Sequence, residues 1–192
     1  MFRRGFKTAS EETSSKLRRK LGVEPYAAVD PMAVAGLLGI PVADPGELSE
    51  LTADIRDRLL RNHSAAWSAI TVSHGNNFLI VINSAHAPTR INSSLAHEIA
   101  HVILGHEPSM MFTTPRSGVA LRTHSKEQED EANWLAGCIL LPREALLRVR
   151  RLGWSDEEIC LQYGVSQAML RFRLNSTGVD LQIRRTRPRG RS

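Results

Sequence analysis

The chain predicts an α+β fold, a mostly helical single domain with a small antiparallel or mixed sheet next to one long functional helix. Two runs rich in Ile, Val, Phe and Thr, 66–73 and 77–83, flank His74-Gly75-Asn76, the punctuation of a hairpin. Directly after them Leu95, Ile99, Val102 and Ile103 recur at helical spacing within residues 90–105. Most of the remaining chain shows helical patterns bounded by Gly and Pro. A length of 192 residues suits one domain and can bury a core without disulfide or metal staples.

Taken in order, residues 8–21 have helix-forming composition, and Asp30 with Pro31 opens a second helix that Gly39 closes. Residues 40–43 predict a short strand, and Leu48, Leu51, Ile55 and Leu59 predict a helix within 46–62. After the hairpin and the 90–105 helix, Pro108, Pro115 and Gly118 mark 106–125 as a long loop. A helix from Lys126 to Leu141 is stopped by Pro142, another covers 143–151, and two short ones follow at 155–163 and 166–175. Residues 77–83 are expected to form an edge strand to which an extended peptide adds.

Composition excludes more than it selects. The 42% hydrophobic and 23% charged residues are ordinary for a globular protein, and no apolar run approaches the roughly 20 residues of a membrane helix. The basic N-terminus is followed by polar residues 8–15, not by an apolar stretch, so it is no secretory signal and the expected compartment is the cytoplasm. Cys138 and Cys160 read as reduced thiols. The net charge of +5 resides at the ends: residues 1–20 and 184–192 each carry +5, leaving −5 between them. A nucleic-acid partner therefore does not follow from the basic pI, and the Arg-rich end reads as a disordered solubilising tail.

The chemistry lies in His97-Glu98-Ile99-Ala100-His101. Residues four apart share a helix face, so His97 and His101 can aim two imidazoles at one ion, with Glu98 beside them. One zinc per chain, held by three protein ligands, would keep a position for water, lower its pKa and polarise a scissile carbonyl. Glu98 would then take the proton and pass it to the leaving amine. With seven His and thirteen Glu in the chain, this spacing arises by chance in on the order of one or two such sequences in a hundred.

A third ligand is needed. One motif extension places a Gly and a His where this chain has Leu104 and Glu107, so that extension fails. Gly105-His106 reads as a helix end, leaving His106 as a capping or surface residue, and His124 stands alone in a polar stretch. Of Glu127, Glu129 and Glu131, two are expected on a solvated acidic face. Glu129 is selected because Asn133, four residues on, shares its face and can accept a hydrogen bond from a ligand histidine.

Residues 94–101 through Gly105-His106, then Glu129-Asp130-Glu131-Ala132-Asn133-Trp134-Leu135-Ala136-Gly137 and Leu140-Leu141-Pro142-Arg143-Glu144, resemble the ImmA/IrrE family of metallopeptidases. The likeness is close over 90–145 and looser from Gly5 to Gly178. It implies a compact gluzincin-like fold, zinc on His97, His101 and Glu129, a role in stress response, and specific cleavage of a DNA-binding, helix-turn-helix repressor. Asn133 departs from the Asp of many gluzincins, which would raise ligand basicity less. For an oxyanion donor, Arg122, His124 and Tyr163 stay unranked.

The organisation expected is then a zinc peptidase core at 1–145, a helical extension at 146–180 and a basic tail at 181–192. In the extension, Ser155 to Glu158 forms a capping box, and Cys160, Gly164, Val165, Ser166, Leu170 and Leu174 follow a helix-turn-helix pattern with Arg171 and Arg173 near its second helix. A packing or partner-docking role is favoured, because base reading needs an exposed polar helix. The alternative function is a DNA-binding regulator that uses this segment.

Overall fold

The computed structural model describes residues 2–48, 67–74, 77–107, 110–114, 118–121 and 124–186; the helix expected within 46–62 falls outside it from residue 49 onward, as do Arg122 and residues 187–192. Helix α1 (Phe6–Lys20) starts at Gly5, whose φ of 82° suits only glycine well, and buries Phe6, Ser10, Ser14, Leu17 and Arg18. Helix α2 (Pro31–Leu37) is capped by the Asp30 carboxylate, which accepts from Met32 N at 2.8 Å. Strand β1 (Val42–Ala43) and a 3₁₀ turn at Pro45–Glu47 follow.

Strands β2 (Ala69–His74) and β3 (Asn77–Ile82) pair antiparallel, from Ala69 opposite Ile82 to His74 opposite Asn77. Helix α3 (Pro88–Leu104) follows at once and ends in left-handed Gly105. Two strands, β4 (Met110–Thr114) and β5 (Gly118–Leu121), occupy the segment expected to be a loop, pairing antiparallel with a bulge between Phe112 and Thr114. Pro108 and Pro115 fall outside these β-compatible runs and Gly118 opens the second, so the punctuation marks strand ends.

The sheet order is β1-β3-β2-β4-β5. Expectation and structure differ again at β3, which is an inner strand. β1 pairs parallel with it (Val42 opposite Ile80), and Ile80 N donates to Pro41 O at 3.0 Å. Around Ile80 and Val81 the outer backbone of β3 is thus met by the chain itself, and the edges among the described residues are β1 and β5.

Helix α4 (Lys126–Leu140) opens with a capping box between Ser125 and Gln128 and lies along α3. Helices α5 (Arg143–Arg151), α6 (Asp156–Tyr163) and α7 (Gln167–Thr177) match the sequence pattern, and α6 carries the capping box of Ser155 and Glu158. A further helix, α8 (Val179–Thr186), extends into the segment read as tail. Its Val179 is buried and its Asp180 accepts from Arg150 Nε at 3.2 Å.

One apolar core joins Leu95, Ile99, Leu135 and Ile139 of the α3–α4 pair to Leu146, Ile159, Leu170 and Leu174 of the later helices. Two buried guanidinium groups tie this core to α1. Arg18 donates to Ser14 Oγ, Ala27 O and Ile139 O, while Arg173 donates to Leu141 O and to the Glu11 carboxylate. Burial holds the Arg18 pKa down to about 10. Gly137 explains how α7 comes so close to α4: a Cβ there would lie 2.7 Å from Arg173 Cδ and 3.2 Å from the Phe172 ring. Cys138 and Cys160 are both free, and burial pushes the Cys138 thiol up to about 12. Among the described residues no helix is long and apolar enough to cross a membrane.

Candidate metal centre

Helical periodicity on α3 brings His97 and His101 to one face, with their Nε2 atoms 2.9 Å apart. Glu129, in the first turn of α4, reaches both from the neighbouring helix: its Oε2 lies 3.3 Å from His97 Nε2 and its Oε1 3.5 Å from His101 Nε2. One ligand atom from each of the three residues falls within 4.8 Å of the others, close enough to surround a single ion. Two imidazoles and a carboxylate form a donor set suited to zinc.

The far nitrogens of both rings are engaged. His97 Nδ1 lies 3.1 Å from Asn133 Oδ1; the amide oxygen can only accept, so Nδ1 carries the proton and Nε2 presents a lone pair to the cluster. His101 Nδ1 lies 2.9 Å from His106 Nδ1, and His106 Nε2 lies 3.5 Å from Glu131 Oε2. A proton on His101 Nδ1 and one on His106 Nε2 satisfy this chain from Glu131 inward and again leave Nε2 of His101 free to ligate. His106, expected at the surface, has a side chain only 7% exposed. His124 also comes to the site, its ring stacked on His101 with centroids 3.9 Å apart.

Electrostatics favour neutral rings. Burial is the largest cause in each case: it lowers the pKa of His97 against the opposing pull of Glu129 and Asn133, and it takes His101 down to about 3, helped by the neighbouring histidines. The neutral imidazole is the form that binds metal. Glu98 is buried, 8% exposed, and its Oε2 accepts from the Thr71 hydroxyl at 2.5 Å. Burial raises its pKa to about 7, although the Thr71 hydrogen bond pulls the other way by stabilising the charged form.

Thr71, His106 and Glu131 are contributors that the linear pattern does not reveal. Thr71 is 27 positions from Glu98, and its one signal in the sequence is a polar residue on the buried side of an apolar strand: it faces Ile80 across the sheet and is 2% exposed. Of the oxyanion candidates, Tyr163 lies elsewhere, its hydroxyl donating to Tyr26 O at 2.7 Å. Arg173 is fully buried, so it presents nothing to a nucleic acid.

The family model described as the IrrE N-terminal-like domain, a peptidase family, matches residues 53–175. No curated protein matches the chain significantly. Among solved structures the chain is similar to a Mycobacterium tuberculosis transcriptional regulator, with a TM-score of 0.55 and 18% identity over 96% of this chain and 49% of that one. The chain thus spans about half the length of that structure, and the likeness is one of fold.

Proposed function

The chain belongs to the IrrE N-terminal-like domain family of peptidases, and from that membership we propose that it is a cytoplasmic zinc-dependent endopeptidase that cuts a specific protein partner, a helix-turn-helix repressor. The observation that carries this reading is the buried carboxylate of Glu98, which accepts from Thr71 and projects from the helix that also presents His97 and His101 toward Glu129. In this reading His97, His101 and Glu129 hold the ion, and Asn133 and His106 orient the two rings. Zinc supplies a Lewis acid that acidifies water and polarises the scissile carbonyl. Glu98 takes the proton from the attacking water and returns it to the leaving amine, a role suited to a carboxylate whose pKa burial has moved toward neutrality.

A regulator that binds DNA through α6 and α7 is the second reading, and the similarity in fold to a transcriptional regulator speaks for it. Against it, Arg173 is inaccessible, and Gly164 O in the α6–α7 turn accepts from Asn92 Nδ2 on α3, so the helix pair is anchored to the metal-centre helix. The test is incubation of the zinc-loaded chain with a helix-turn-helix repressor from the same genome and, separately, with casein. One or few cuts in the repressor and next to none in casein are expected by mass spectrometry. Rapid unselective casein digestion, or promoter silencing that survives Glu98→Gln, would sink the proposal.

Thr71→Val provides a pH test of the same assignment. Glu98 must be unprotonated to act as base, so it sets the acid limb of kcat/KM. The Thr71 hydroxyl stabilises the charged carboxylate, and removing it raises the pKa further. The acid limb should move to higher pH by about one unit, the size expected for a hydrogen bond to a charged group. A bound divalent ion lowers both profiles together, so the displacement between them is the readout; coincident profiles would exclude this role for Thr71.

A further inference from the structure

The pocket beside His97 and Glu98 has a volume of about 260 Å³ and does not end at those residues. Ser93, Asn133 and Met169 line it and also line an adjoining trough of about 630 Å³, which Trp134, Phe172 and Phe2 complete. Near the metal centre the walls are small, with Ala69, Ser94 and Ala136 leaving room for a main chain. Farther out the lining becomes large and apolar: Phe172 is 38% exposed, and Met169 is half-buried. Phe172 holds this position because Gly137 lets α7 approach α4 and because its ring meets Trp134 edge to face at 6.0 Å. An engineered apolar cavity of about 150 Å³ accommodates a benzene ring, so the trough takes a bulky side chain with space to spare.

Resting on the peptidase reading, we propose that this trough is the subsite for a large apolar residue of the substrate, Leu, Met or Phe, adjacent to the scissile bond, with Met169 and Phe172 determining its size. The occupant is a peptide because the trough shares Ser93, Asn133 and Met169 with the pocket that His97 and Glu98 line. Each of these side chains meets the peptide as it enters the pocket. Asp130 and Ser166 give the trough a polar rim where the peptide backbone leaves it. Selection for a particular side chain beside the cut would add to selection by docking, and together they would restrict cleavage to few sites.

Peptidyl hydroxamates whose first side chain is Ala, Leu or Phe, titrated onto the zinc-loaded chain by calorimetry, test this without requiring turnover. The Leu compound should bind about 10–100 times more tightly than the Ala compound, the scale by which a hydrophobic pocket discriminates between side chains. Met169→Ala should shift the preference from Leu to Phe, and Phe172→Ala should reduce it for both; a merely structural role would weaken all three compounds alike. Thermal unfolding of both variants controls for folding, and sedimentation checks for self-association. Equal binding of Ala and Leu compounds would overturn the subsite while leaving the peptidase reading intact. Binding of none of them to metal-loaded protein would overturn the peptidase reading itself. A wild-type dimer that Phe172→Ala converts to monomer would assign the trough to a second copy of the chain.

Discussion

Glu98→Gln is expected to lower hydrolysis by about 10³-fold or more, within the range attributed to a positioned general base and its proton return, while zinc stays bound. Gln matches Glu in volume, and its carbonyl can still accept from the Thr71 hydroxyl at the position where Glu98 Oε2 accepts now. What it cannot do is take a proton from water. Glu98 is not among the three side chains that converge, so ion content should equal that of the parent. Stability should not fall, because the variant removes a buried carboxylate whose charged form burial disfavours. Metal analysis, single-turnover hydrolysis of a protein substrate that the parent cleaves and thermal unfolding of the same preparation decide the matter together. Hydrolysis at the parental rate would remove Glu98 from the mechanism, and loss of zinc would make it a ligand.

Much of this site can be read along the chain because its parts are local. The four-residue step from His97 to His101 is helix geometry, and the step from Glu129 to Asn133 is the same geometry on a second helix; the structure places the two faces opposite each other. Helix ends are legible for the same reason, since Ser155 with Glu158 and Asp30 with Pro31 are capping chemistry written within a few residues. What escapes depends on partners far away. β3 reads as an edge because nothing local shows that the short strand expected at 40–43 pairs with it, which Val42 and Ala43 do opposite Ile80 and Val81. β4 and β5 are short, with Pro108 before them and Pro115 between them, which mimics a loop. His106 follows a helix-ending glycine, so its local signature is that of a cap, yet its place is fixed by Glu131 on another helix. Arg173, beside exposed Arg171, has the look of a nucleic-acid contact until Glu11 and Leu141 are seen to take its guanidinium.

Metal retention should fall in a graded order across the cluster, with Glu129→Ala losing the most. Its carboxylate supplies the only anionic donor of the three and spans both rings, at 3.3 Å from one and 3.5 Å from the other. Without it two neutral imidazoles remain, and the ion loses both a bond and its charge balance. Affinity should drop by more than about 100-fold, beyond the 10–100-fold typical when only an orienting partner of a ligand is removed. Asn133→Ala and His106→Ala should fall within that smaller range, because each frees one ring to rotate or change tautomer without removing a donor atom. Asn133→Asp should bind more tightly than the parent, since a carboxylate on Nδ1 of His97 raises the basicity of Nε2 more than an amide does. Competition against a chromophoric chelator at neutral pH gives all four constants, and unfolding of the metal-free proteins shows whether any variant has lost its fold. Glu129→Ala holding zinc as well as the parent would displace the third ligand to another residue; His106→Ala losing more than Glu129→Ala would make His106 itself a donor.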